Sequence, residues 1–226
     1  MSSEKKPLVH SHSALELYEL CPKKFYHERI AKDFPFKENE QTKWGNEVHK
    51  QLEKAIKEGR SLDQRFTMYQ DVVESIMKLK GLRYAEMKLG LNRHGEYTDF
   101  FAPDVYYRGV GDIVVDFGKR LFAGDWKTGK KKSGGLDMER MALLLFARLP
   151  NAEEIFTAFV WLQGKRSITS AVYTRESIPE IWNRIVEKTT DLEWAYANDK
   201  WVARENFLCR AWCEVTSCVF NGKNKQ

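Results

Sequence analysis

Two acidic residues and a lysine near the middle of the chain carry the chemistry that the sequence suggests. Asp125 and Lys127 stand two residues apart in the segment Arg120–Lys130, RLFAGDWKTGK. Because successive side chains of a strand alternate between its two faces, this carboxylate and this ammonium point the same way. Asp112 lies 13 residues before Asp125, in the segment RGVGDIVVD. An acid near the end of one strand, followed by Asp-x-Lys at the end of the next, predicts a metal-dependent phosphodiesterase site.

The alternative interpretation is an ion pair on a solvated strand face, which is the commoner case for an isolated Asp-x-Lys tripeptide. Two features favour a functional site. Both acids lie beside apolar runs, IVV and LFA, where an unpaired buried carboxylate would be costly. Glycines also flank both acids, as they do where a backbone approaches a site closely: Gly109, Gly111, Gly124 and Gly129.

The elements that position these residues follow from the hydrophobic periodicity. Trp44, Val48, Leu52 and Ile56 recur every four residues and predict a helix over 42–58 that ends at Gly59. Alternation of Tyr84, Glu86 and Lys88 with Ala85, Met87 and Leu89 predicts a half-buried strand. The other predicted elements are a helix opened by a capping box at Ser13, a helix over 66–80, strands at 104–116 and 120–127, a helix over 137–149, strands at 154–163 and 167–174, and a helix over 176–198.

This order of elements predicts a mixed central sheet flanked by helices, in the α/β or α+β class. The sequence further predicts a flexible lead over residues 1–12 and one domain over residues 13–226, with a helical N-terminal part and a cysteine-containing C-terminal segment.

Composition narrows the classes of protein to consider. No apolar run reaches the roughly 18 residues that a membrane span requires. The first residues, MSSEKKPLVH, contain no apolar signal core, which predicts a reducing, cytoplasmic location. The net charge of +5 permits an anionic partner without requiring one.

One histidine and four cysteines could each be either a buried core residue or a metal ligand. His49 falls on the apolar side of its predicted helix, as a core histidine or a metal ligand would. Cys209, Cys213 and Cys218 stand close together near one end of the chain and Cys21 near the other. In a reducing location they are either buried thiols or ligands of a metal group, with zinc as the weaker choice of metal.

The chain resembles the PD-(D/E)XK nuclease superfamily, in its RecB-like branch of phage exonucleases and CRISPR-adaptation nucleases. Five motifs carry the resemblance, in the family's order: S-x4-aromatic-x2-C-P-x2-aromatic at Ser13–Phe25, G-x3-H at Gly45–His49, an acid at Glu86, G-x2-D at Gly109–Asp112, and D-x-K-T-G at Asp125–Gly129.

The resemblance implies a restriction-endonuclease-like core and a set of site residues. Glu86, Asp112, Asp125 and Lys127 would be catalytic. Mg²⁺ or Mn²⁺ would be held by His49, Asp112, Asp125 and the backbone carbonyl of Trp126. Cys21, Cys209, Cys213 and Cys218 would hold a [4Fe–4S] cluster, and Lys130, Lys131 and Lys132 would contact DNA.

The resemblance implies a DNA exonuclease that acts on the ends of linear DNA in replication, recombination or repair. It further implies that a phage encodes the protein and that a single-strand annealing or recombination protein is its partner. A non-catalytic DNA-binding subunit and a partner-dependent, CRISPR-adaptation-like trimming enzyme are the alternatives. The family's Gln-x3-Tyr on the next helix is absent here, and Asp137, Glu139 or Arg140 are candidates to replace it.

Overall fold

The computed structural model describes residues 6–131 and 135–224. They form two compact units. The sheet unit spans Glu38–Trp182, and the terminal unit combines the residues up to Lys37 with those from Asn183 onward. The sequence-based boundaries, a lead over 1–12 and one domain over 13–226, stay a prediction.

The sheet unit is built on six strands in the order β2-β1-β3-β4-β5-β6. Their bounds are Leu82–Leu91 for β1, Tyr97–Thr98 for β2, Tyr107–Asp116 for β3, Arg120–Lys127 for β4, Glu154–Trp161 for β5 and Ser167–Thr174 for β6. β4 and β5 are parallel, and the other neighbouring pairs are antiparallel. The crossover that a parallel pair needs contains helix α5, Leu136–Arg148.

Helices cover the sheet, so the prediction of a mixed sheet flanked by helices is confirmed. Helix α3, Glu40–Glu58, begins two residues before its predicted start because the Asn39 side chain caps the Thr42 N–H, and it ends at Gly59 with φ of 65°. The predicted helix over 66–80 is instead a 3-10 turn, Gln64–Tyr69, followed by helix α4, Gln70–Met77. α3 and α4 share a buried cluster with the sheet that includes Val48, Leu52, Val72, Ile113 and Trp126, while α5 packs on β1, β3 and β5.

The terminal unit contains helix α1, His12–Leu20, and helix α2, Pro22–Phe25, which continues into a π-helical turn, Tyr26–Ala31. The predicted capping box at Ser13 is wrong, since Ser11 is the cap and accepts a hydrogen bond from the Ala14 N–H. Cys21 caps α2 with its own thiol, and Pro22 stands at the first helical position, where its missing N–H costs nothing.

Helix α6 runs over Ile178–Asn198 after a short 3-10 turn and ends where it was predicted to end. Within the described residues, every helix is too short or too polar to cross a bilayer.

Candidate metal and catalytic site

β3 and β4 stop pairing where their acidic residues stand. The paired register ends at Ile113 and Gly124, so Asp112 and Asp125 are the first residues beyond it. The backbone N–H of Trp126 donates to Oδ2 of Asp112 at 2.7 Å. We call this point, where the strands separate, the fork. The Asp112 side chain there accepts a backbone hydrogen bond in place of a partner strand.

α3 presents Gly45 and His49 to the end of β4, because residues four apart lie on one face of a helix. Nε2 of His49 is 2.9 Å from the carbonyl oxygen of Trp126, and its Nδ1 is 3.3 Å from Oδ2 of Asp112. Each ring nitrogen therefore faces an oxygen that can accept a hydrogen bond. Gly45 permits the approach, since a Cβ there would lie 3.0 Å from Oγ1 of Thr128.

β1 brings Glu86 opposite Asp112. Ala85 pairs with Ile113 and Met87 with Gly111, which leaves Glu86 and Asp112 facing each other between two paired positions. Glu86 has a φ of 53°, in the left-handed region. A residue with a side chain adopts that conformation at a cost of roughly 1–3 kcal/mol, and such strain concentrates at functional sites.

The left-handed residue changes which face of the sheet the neighbouring side chains occupy. Ala85 and Ile113 pack in the α3 cluster, whereas a Cβ on Gly111 would meet Met141 of α5. Strict alternation would put Gly111 and Ile113 on the same face. The predicted unbroken alternation of β1 is therefore wrong at Glu86, where β1 and β3 switch faces together.

The switch gathers three potential ligands. One ligand atom from each of His49, Glu86 and Asp112 lies within 4.8 Å of the other two. Carboxylate oxygens with one imidazole suit a hard divalent cation, and the imidazole favours Mn²⁺ over Mg²⁺. The carbonyl of Trp126 faces the same imidazole. These donors fit the cation that the sequence predicts.

Lys127 lies between two carboxylates. Its Nζ is 2.8 Å from Oδ2 of Asp125 and 3.2 Å from Oδ2 of Asp137, and 4.6 Å from the centre of the Phe159 ring. Asp137 stands in the first turn of α5. Of the three candidates to replace the family's missing glutamine, it is therefore the one that contacts the site lysine.

The pKa values of the site reflect a surplus of negative charge. Burial and the neighbouring Asp112 carboxylate raise the pKa of Asp125 to about 7. The same two causes raise the pKa of Glu86. Burial disfavours the charged form of Lys127, but the carboxylates of Asp125 and Asp137 outweigh it and raise the pKa of the lysine. Burial acts in the same way on His49, and there the Asp112 carboxylate outweighs it and raises the pKa of the imidazole. A divalent cation would relieve this crowding of carboxylates.

The basic segment after the fork adjoins a groove. Lys130 is exposed and lines a cavity of about 490 Å³ together with Trp44, Tyr69, Thr128 and Gln163, among others. Lys131 is exposed as well, and Lys132 lies outside the described residues. The predicted contact of these lysines with DNA stays a prediction.

The four cysteines all lie in the terminal unit as buried residues outside any disulfide, with 6–8% of each residue exposed. Backbone N–H groups of Lys24 and Arg204 each lie 3.5 Å from Sγ of Cys21, and that of Asn206 lies 3.5 Å from Sγ of Cys209. Cys213 and Cys218 share a buried cluster with Val215.

A buried lysine lies among these thiols. Burial lowers the pKa of Lys24, against the opposing effects of Cys213 and Cys21 and in spite of its ion pair with Glu28. Burial likewise raises the pKa of the Cys213 thiol, and Lys24 acts in the opposite direction. Four buried thiols, two of which accept backbone hydrogen bonds, have the donor chemistry of a metal group with cysteine ligands. The raised pKa of Cys213 favours its protonated thiol when no such group is bound.

Comparison with known proteins places the chain among nucleases. The family model of the PD-(D/E)XK nuclease superfamily matches residues 9–218. Among solved structures, the protein from Eubacterium rectale named "putative exonuclease" is 9% identical with a TM-score of 0.58, over 92% of this chain and 88% of that one. SSO0001 is 13% identical with a TM-score of 0.49, over 97% of this chain and 90% of that one. No curated protein matches the sequence.

Proposed function

The chain belongs to the PD-(D/E)XK nuclease superfamily, and on that premise we propose that it is a divalent-metal-dependent DNA exonuclease. The observation that carries the proposal is the convergence at the fork. One ligand atom from each of His49, Glu86 and Asp112 lies within 4.8 Å of the other two. The ion pair of Asp125 with Lys127 lies on the neighbouring strand, β4.

The metal would be held by His49, Asp112 and the carbonyl of Trp126, with Glu86 as a ligand or as an acid that orients bound water. Asp125 would join them once a cation neutralises the repulsion from Asp112, which is among the causes that raise its pKa. When bound, a divalent cation lowers the pKa of a water and stabilises charge on phosphate oxygens.

Lys127 would act on the phosphate as a fixed positive charge. Because Asp125 and Asp137 raise its pKa, it stays an ammonium through the neutral pH range and is no general base. Its two carboxylate partners hold Nζ in place, so that it can donate to a phosphate oxygen as negative charge builds there. Such preorganised donors are worth roughly two to three orders of magnitude in kcat.

The preference for an exonuclease over an endonuclease rests on the sequence resemblance, and so does the assignment to replication, recombination or repair. A phage origin and a single-strand annealing or recombination partner belong to the same proposal. Contact of Lys130, Lys131 and Lys132 with the DNA backbone completes it.

The test is degradation of end-labelled linear DNA, single- and double-stranded, beside closed circular DNA in Mn²⁺, Mg²⁺ or EDTA. Metal-dependent loss of linear DNA alone is expected. Lys127→Ala should lower that rate at least 100-fold, while Lys119→Ala, which breaks an exposed ion pair with Glu153, should leave it unchanged. Cutting of closed circles would overturn the exonuclease assignment. Inactivity of the purified protein that is reversed by added partner proteins would favour the partner-dependent alternative.

We also propose that Cys21, Cys209, Cys213 and Cys218 bind a [4Fe–4S] cluster in the terminal unit. Their burial and the N–H groups aimed at two of the sulfurs support it. Anaerobically purified protein should contain four iron and four sulfide per chain, with a visible absorbance that Cys213→Ser removes. Zinc in place of iron, or a full complement of titratable thiols without metal, would contradict the proposal.

A further inference from the structure

Phe100 and Phe101 stand at the tip of a tight turn before β3. The N–H of Ala102 donates to the carbonyl of Asp99 at 3.0 Å, which puts both phenylalanines at the central positions of the turn. Small polar residues are usual there. The Phe101 residue is 74% exposed, and the two rings contact edge to face with centres 4.8 Å apart. Packing in the core therefore does not account for Phe101, whereas Phe100 is half-buried.

Two cations flank the aromatic pair. Nζ of Lys88 lies 5.0 Å from the ring centre of Phe101 and 5.9 Å from that of Phe100. Cζ of Arg108 lies 4.5 Å from the ring centre of Phe100 and 6.0 Å from that of Phe101, and its Nη1 donates to the Phe100 carbonyl. We call Lys88, Phe100, Phe101 and Arg108 the aromatic platform.

The acid nearest in sequence to the rings does not neutralise these cations. Asp99 accepts a hydrogen bond from the Tyr97 hydroxyl at 3.0 Å. Throughout the described part of the chain, neither Lys88 nor Arg108 has a carboxylate within ion-pair distance. The platform thus offers two positive charges and the exposed ring of Phe101 to a ligand, with the half-buried ring of Phe100 beside it.

The platform continues directly from the fork along two neighbouring strands. Lys88 follows Glu86 by two residues on β1, a distance of about 7 Å along a strand. Arg108 pairs with Gly90 in the same ladder, four residues before Asp112 on β3. A polymer with its reacting group at the fork would therefore meet the platform one or two repeats away.

We propose that the aromatic platform binds unpaired nucleotides of the DNA strand whose scissile phosphate lies at the fork; this rests on the proposed function. Unpaired bases can stack on exposed aromatic rings, and Lys88 and Arg108 would contact the phosphates between them. A base pair inside a duplex keeps its faces stacked on its neighbours and cannot use the rings. The substrate assigned to the site is therefore a single strand.

The test measures binding apart from cleavage. A fluorescein-labelled single-stranded 20-mer and the matching blunt duplex are titrated with Lys127→Ala protein in EDTA, so that no DNA is cut. Phe101→Ala in that background should weaken single-strand binding about 5- to 100-fold and leave its salt dependence unchanged. Lys88→Gln should weaken it and reduce the slope of log affinity against log salt by about 0.7, the value for one lost contact with a single-stranded phosphate.

Matched controls come from the other end of β3. Phe117 is also an exposed phenylalanine in a turn, and Lys119 follows it in the same turn. Phe117→Ala and Lys119→Gln should leave single-strand affinity and its salt slope as they were. Thermal unfolding of each variant checks the fold, which substitution of a residue as exposed as Phe101 should preserve.

The outcomes separate the platform from the catalytic proposal. Weakened single-strand binding with unchanged duplex binding supports the platform. Equal weakening of both DNA forms, or no change in either, overturns it and leaves metal-dependent cleavage by the unsubstituted protein untouched. If neither DNA form binds and the unsubstituted protein cuts neither, both proposals fail together.

Discussion

Replacing Asp125 with asparagine should stabilise the metal-free protein at alkaline pH. The pKa of this carboxyl is about 7 in the folded protein against 3.8 ordinarily, so folding favours its protonated form. Its contribution to stability is complete below pH 3.8 and is lost as the pH rises to about 7. Asparagine resembles the protonated form in shape and charge, and therefore avoids that loss.

The size of the effect follows from the pKa and the exposure of the side chain. The difference between 3.8 and about 7 corresponds to about 4 kcal/mol at 1.36 kcal/mol for each pKa unit. Because 38% of the Asp125 side chain is exposed, solvent screening reduces that figure to about 1–2 kcal/mol. In a chain of 226 residues the melting temperature should rise by about 2–8 °C at pH 8, and by about a third of that amount at pH 5.

The assay is thermal unfolding of both proteins in EDTA from pH 4 to pH 9, repeated with Mn²⁺. With saturating Mn²⁺ the order should reverse, because the unsubstituted protein gains binding free energy that Asp125→Asn lacks. Asp116→Asn, at the far end of β3, is the matched control and should show no such reversal. The reasoning is refuted if Asp125→Asn lowers the melting temperature at pH 8 in EDTA, or if Mn²⁺ stabilises both proteins equally.

Three further predictions concern the same site. Glu86→Gly should be more stable than Glu86→Ala by about 1 kcal/mol in EDTA, because only glycine adopts a φ of 53° without strain; equal melting temperatures would contradict this. Calorimetric Mn²⁺ affinity should fall with decreasing pH by about tenfold more per pH unit in the unsubstituted protein than in His49→Gln, because the His49 ring, like Asp125, must lose a proton before metal binds; the same pH slope in both proteins would argue against it. Asp137→Asn should lower the pKa of Lys127 and move the alkaline limb of the pH–rate profile to lower pH; an unmoved limb would show that Asp137 does not act through the lysine.

Local pattern sufficed to predict the two strands that carry the site. The apolar runs around Asp112 and Asp125 predicted strands at 104–116 and 120–127, and the structure has neighbouring strands over Tyr107–Asp116 and Arg120–Lys127. Gly59 likewise predicted the end of α3. These features depend on residues close together in sequence, where side-chain periodicity and turn chemistry dominate.

The sequence could not predict features set by contacts between distant segments. The left-handed conformation of Glu86 has no local signal, because glutamate rarely adopts it and only the packing of β1 against β3 imposes it. The contact of Lys127 with Asp137 could not be predicted from the sequence either. Three residues of α5 were candidates, and the helix turns Asp137 toward the lysine while it buries Glu139 and Arg140.

The hydrogen bond from the Trp126 N–H to Asp112 gives this carboxylate a structural role in addition to its proposed role as a metal ligand. Where the strands separate, the Asp112 side chain accepts a hydrogen bond from a backbone N–H of β4 that lies beyond the paired register of β3 and β4. In evolutionary terms, a related protein that has lost catalysis would still need a hydrogen-bond acceptor at this position for the Trp126 N–H. We expect inactive relatives that retain the fold to tolerate asparagine at Asp112 far better than alanine.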